Sequence, residues 1–110
     1  MTAATVYAIA WDSEGPTKIG IARSPLNRLI SLQTACPFKL KIFAAYVFDY
    51  EGPFATQHNA VRVERRCHEV NSSSRLEGEW FRLSVSDAVA SILGVAAELG
   101  ISTPPAWAEK

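Results

Sequence analysis

Five polar side chains hold most of the chemistry this 110-residue sequence offers: Tyr7, Lys18, Arg28, Glu64 and His68. Lys18 follows the tyrosine by eleven residues and Arg28 follows the lysine by ten, while Glu64 and His68 stand four apart. On a helix that last spacing puts both side chains on one face. A phenol, two cations and a carboxylate brought together could move protons and hold an anion. The phenol has an unperturbed pKa of about 10, so it needs a positive charge beside it to act as a base at neutral pH. Lys18 could supply that charge. Taken singly, each residue has a plainer reading: Tyr7 as a core aromatic, Lys18 as a guard on a strand edge, Arg28 and Glu64 as solvated helix charges, His68 as a half-buried, satisfied imidazole. Only the ordered set points to chemistry.

Charge distribution bears on the same question. Eleven basic and eleven acidic residues cancel, but from Thr17 to Ala45 there are five cations (Lys18, Arg23, Arg28, Lys39, Lys41) and no carboxylate. A positive third beside an acidic remainder suits a phosphate-tracking surface next to a metal-binding carboxylate. Lysines protecting a strand edge would give the same pattern. Arg23, Lys39 and Lys41 are the candidate nucleic-acid contacts.

The elements that must position these residues read as follows. Thr5 to Trp11 is apolar on both alternating sets, a strand covered on both faces. Turn residues Asp12 to Pro16 lead into a second strand, Thr17 to Ala22, forming a hairpin. Tyr7 and Lys18 share a face only if the pairing sum is odd, as with Asp12 opposite Thr17 and a loop over Ser13 to Pro16. In that case Gly20 leaves open space beside Tyr7. Ser24-Pro25 opens a helix carrying Leu26, Leu29, Ile30 and Gln33 on one side and Arg28 on its flank, and Cys36-Pro37 stops it. Lys39 to Tyr50 is a third strand, and a polar helix runs from about Phe54 to Val70. After a Ser-rich loop, Trp80 to Leu83 is short and extended. Ser84 caps a last helix with Asp87 three residues on, and Gly100 ends it. The expected fold is α+β: a small, mostly antiparallel three-stranded sheet flanked by helices. Residues 1–100 form one domain and 101–110 a tail carrying Trp107.

Those residues resemble the GIY-YIG nuclease superfamily, and most nearly its phage-type branch, which includes domains of the meiotically up-regulated-gene kind. The likeness rests on Thr5-Val6-Tyr7, Lys18-Ile19-Gly20, Arg28-Leu29, Leu32-Gln33-Thr34 with Pro37, Glu64 with His68, and Gly78-Glu79-Trp80-Phe81. It runs in order over about residues 4–95. The resemblance implies hydrolysis of DNA phosphodiester bonds with one divalent ion, Mg²⁺ or Mn²⁺, held by Glu64. It gives Tyr7 the activation of the attacking water and Arg28 a bidentate grip on the scissile phosphate. His68 would bond the substrate or a metal-bound water. Departures are Thr5 for the leading glycine, Lys18 for the second motif's tyrosine, and Ser31-Leu32 where many of these nucleases carry a histidine.

Competing readings use other residues. A zinc site from Cys36, Cys67, His58 and His68 lacks a C-x-x-C pair, and the adjacent Cys67 and His68 diverge on a helix. Cys67 reads as a small apolar residue and Glu79 as structural, holding the Arg75 region or a backbone contact. A nucleic-acid-binding module of weak or no activity, or a protein-interaction domain using the Trp107 tail, are the alternative functions. Duplex DNA is the expected partner, with a homo-oligomer or second protein supplying any sequence preference. Two cysteines suit a reducing compartment. The longest apolar runs fall far short of the roughly 20 residues of a membrane span, and no basic start precedes an apolar stretch. The expected location is the cytoplasm, with no membrane partner.

Overall fold

The computed structural model describes residues 3–49 and 58–107. Its elements are β1 (Ala4–Ala10), β2 (Thr17–Ala22), α1 (Pro25–Gln33), β3 (Lys41–Phe48), α2 (Asn59–Val70), a 3-10 turn (Ser72–Ser74), β4 (Trp80–Phe81) and α3 (Val85–Glu98). All four strands are antiparallel in the order β3-β1-β2-β4, so the short Trp80–Phe81 segment adds a fourth strand to the three expected. The α+β class stands. Tyr50 and the expected helix start at Phe54 lie outside the described residues.

The central strand β1 is buried along nearly its whole length because each of its faces is covered. Val6 and Ala8, with Ile19 of β2, pack against Ala60, Val63 and Cys67 of α2 and Ala88, Ile92 and Ala96 of α3. Tyr7 and Ile9 point the other way, toward Leu29 and Leu32 of α1. Alternation in a strand supplies both surfaces from one run of apolar residues. Helix termini follow local chemistry. Ser24 Oγ accepts the Asn27 amide and Ser84 Oγ accepts the Asp87 amide, each satisfying a donor that the first helical turn leaves open. Pro25 sits at the first position of α1, and Gly100, at φ +76°, follows α3 in a conformation that favours glycine.

Three expectations need correction. The β1–β2 register pairs Tyr7 with Gly20 and Ile9 with Lys18, two residues away from the register with Asp12 opposite Thr17. The parity is unchanged, because a six-residue loop over Trp11 to Pro16 replaces the four-residue one. Ile30 is 59% exposed, since Leu29 and Leu32 turn into the sheet and the next residue round the helix faces water. Lys39 lies in the loop before β3 instead of inside the strand. The tail, left open between loose and docked, runs along β3: the Val47 amide donates to Pro105 O at 2.9 Å and the Trp107 amide to Ala45 O at 2.8 Å.

Candidate active site

The β1–β2 pairing decides whether the site exists. Tyr7 opposes Gly20, and a Cβ on that glycine would overlap the Tyr7 hydroxyl and stand 2.9 Å from Glu79 Oε1. Glycine here is a steric necessity: the phenol and the Glu79 carboxylate meet in the space it leaves. Lys18, two residues before, is itself almost buried, and its ammonium pairs with Glu79 Oε1 at 3.1 Å. β4 brings that carboxylate in. Thr17 pairs with Phe81 and Lys18 with Trp80, and the Ile19 amide donates to Glu79 O at 3.1 Å.

From the other side α2 presents Glu64 and His68, one turn apart as their spacing requires. His68 Nε2 lies 2.9 Å from Ile19 O. A carbonyl only accepts, so Nε2 carries a proton. The ring also packs against Phe81 at 5.0 Å between centroids, which fixes its orientation. Ligating atoms of Glu64, His68 and Glu79 all lie within 4.8 Å of one another. No other group of three or more such residues gathers this way among the described residues.

The two carboxylates of this cluster are shifted in opposite directions. Glu64 Oε2 is buried and no described donor reaches it. Burial pushes the Glu64 carboxyl up to about 7, reinforced by a hydrogen bond with Glu79 and by its charge, while Lys18 and Arg65 pull the other way. Burial also opposes ionisation of Glu79, but the hydrogen bond and charge of Lys18 prevail and hold it below the ordinary carboxylate value. Two facing carboxylates of this kind need positive charge between them, either a shared proton or a cation. With an imidazole on the third side, the donor set fits a divalent metal ion. Glu64 and His68 open to solvent through a depression of about 400 Å³ flanked by Arg65 and Arg75.

Tyr7 is fully buried, and its hydroxyl has no hydrogen-bond partner of standard geometry among the described residues. Burial raises its pKa to about 12. Arg28 lowers it by its charge, whereas Glu79 and Glu64 add to the rise. The cation acting on the phenol is therefore Arg28, because Lys18 is engaged with Glu79. Arg28 is exposed on α1, and its guanidinium remains open to an anionic ligand.

The T5orf172 domain model matches residues 4–95, from the first residue of β1 into α3 and across every residue of this cluster. The chain belongs to the T5orf172 domain family. Comparison with curated proteins gave no match. Comparison with solved structures gave none either.

Within this T5orf172 domain, Tyr7, Lys18, Arg28, Glu64 and His68 converge. Arg23, Lys39 and Lys41 are exposed outside the cluster, and no described carboxylate pairs with them. Glu79 is the residue that sequence reasoning set aside. Its carboxylate turns to Lys18 and Glu64, and Arg75 bonds Gly78 O instead. The signal was its place before Trp80-Phe81, the pair that joins the sheet beside Lys18. The cysteine–histidine alternative does not assemble: Cys67 is a buried thiol pushed up to about 12 by burial, and His58 Nδ1 caps α2 at the Ala60 amide.

Proposed function

We propose that this domain is a divalent-metal-dependent endonuclease of the GIY-YIG type that hydrolyses DNA phosphodiester bonds. The observation that carries the reading is the meeting of Glu64, His68 and Glu79 within 4.8 Å, with the Tyr7 phenol beside Glu79 in the space over Gly20. Glu64 and Glu79 would hold the ion through oxygen and His68 through a ring nitrogen. The imidazole tilts the choice from Mg²⁺ toward Mn²⁺. Such an ion supplies Lewis-acid polarisation of the phosphate and offsets the charge that builds on its oxygens.

The chain's own groups do the rest. Lys18 keeps Glu79 ionised and in place. Arg28 grips the phosphate with two parallel N–H donors, a fit that lysine would not reproduce. Tyr7, protonated at neutral pH and enclosed beside Glu79 and Arg28, would help to position those two groups around the reacting phosphate. The neighbouring Arg28 lowers the cost of giving that proton up. Burial of the phenol and of Lys18 keeps bulk water from dissipating these interactions.

Plasmid incubated with Mn²⁺ or Mg²⁺ tests the reading. Nicking or linearisation that requires metal and disappears in Glu64→Ala supports it; cutting by that variant at the wild-type rate overturns it. A second reading, DNA binding without cleavage, is favoured by exposed Ser31, where related nucleases carry a histidine. It predicts no cutting and a salt-sensitive mobility shift that weakens in Arg28→Ala.

A further inference from the structure

An aromatic row leads away from the cluster. Lys18 Nζ lies 5.8 Å from the centroid of the Trp80 ring. Trp80 and Trp11 follow at 6.5 Å with their planes tilted by 43°, and Trp11 stacks on Phe38 at 5.0 Å and 24°. Phe38 ends the row 54% exposed, with one ring face against Trp11. The core on this side does not call for it, because Tyr7, Ile9, Leu40 and Ala45 are already enclosed. Lys39 and Lys41 stand on either side of Leu40 just after Phe38, both exposed and without an ion pair among the described residues. No carboxylate lies from Thr17 to Ala45, the segment that carries Phe38 and both lysines.

We infer that Phe38, backed by Trp11 and Trp80, is a stacking platform for an unpaired nucleobase, with Lys39 and Lys41 following the adjoining phosphates. The inference rests on the phosphodiester reading of the neighbouring cluster and narrows its substrate to single-stranded or locally unpaired DNA. Within a duplex both faces of each base are covered by its neighbours, so an exposed phenyl ring has nothing to stack on. An unpaired base offers a free π-face, and aromatic side chains beside lysines are the usual means of holding one. Continuity decides against an acidic peptide as the occupant. The row begins at the ammonium that contacts Glu79, so a strand held on Phe38 runs toward Glu64 and Tyr7.

Binding is measured on the full chain in EDTA, with labelled oligothymidine and a duplex of equal length, following anisotropy and tryptophan fluorescence. We expect the single strand to bind more tightly and to quench tryptophan emission. Phe38→Leu, which keeps apolar volume but has no π-face, should weaken oligothymidine binding roughly ten-fold, and Phe38→Trp should retain it. Equal binding by Phe38→Leu, or preference for duplex, would overturn the platform. Oligouridine bound as tightly as oligothymidine would support it and set RNA beside DNA as a source of the base. Metal-dependent plasmid cutting together with an inert Phe38→Leu rejects the platform and keeps the nuclease reading. Oligothymidine binding that depends on Phe38, without cutting under any metal, keeps the platform and rejects the nuclease.

Discussion

Gly20 is the residue on which the geometry turns. Its Gly20→Ala variant would drive a methyl group into the Tyr7 hydroxyl and toward Glu79. Overpacking of this kind costs about 1–3 kcal/mol, so urea denaturation should give a lower midpoint, and any cleavage should fall with it. Glu64 makes a separate prediction in pH. Its carboxyl is raised to about 7, so between about pH 4.5 and pH 7 the folded chain binds protons that the unfolded chain has released. Stability from this group is present at the acidic end and lost as pH rises through that window. In EDTA the melting temperature should fall across it, and Glu64→Gln should flatten the trend. Glu79, held below its ordinary value, acts oppositely and only at lower pH. At this scale the sequence revealed much. That Tyr7, Lys18 and Gly20 share a face follows from hairpin parity, which a register shift of two leaves unchanged; that Tyr7 stands directly opposite Gly20 comes from the observed register. The phenol's raised pKa was not readable, because it depends on burial under α1 and on Lys18 being engaged elsewhere.

At the scale of elements, α2 and β4 close the cluster from opposite sides, with His68 as the tie between α2 and β2. In His68→Ala, Ile19 O loses its donor and Phe81 loses a ring contact. An unsatisfied buried acceptor costs about 1–3 kcal/mol, measurable by denaturation in EDTA. His68→Asn tests the metal role separately: Mn²⁺ affinity, read by calorimetry, should drop more than the stability does. Element reading from the sequence succeeded where short-range chemistry dictates, as at the Ser24 and Ser84 caps. It missed Glu79 because β4 has two residues, too few for any periodicity, and its pairing with β2 spans the chain. Thr17 Oγ1, for example, bonds Leu83 O, 66 residues away.

For the molecule as a whole, β3 is one of the sheet's two outer strands, and the segment Pro105 to Trp107 bonds to it. Deleting residues 101–110 would bare the backbone of β3. Exposed edges pair with other chains, so the truncated protein should elute earlier and concentration-dependently in size-exclusion chromatography. Divalent ion should act on the entire fold by mass action. Mn²⁺ at a hundred times its dissociation constant would add about 2.7 kcal/mol and raise the melting temperature, an effect absent in Glu64→Ala.

The strand order has a further consequence during synthesis. Tyr7 and Lys18 sit in a hairpin that can form locally, while Glu79 follows them only after α1, β3 and α2 have been made. A growing chain, or a fragment released before β4, therefore lacks one wall of the acidic trio. If that trio holds the ion, cleavage would wait until β4 has paired with β2.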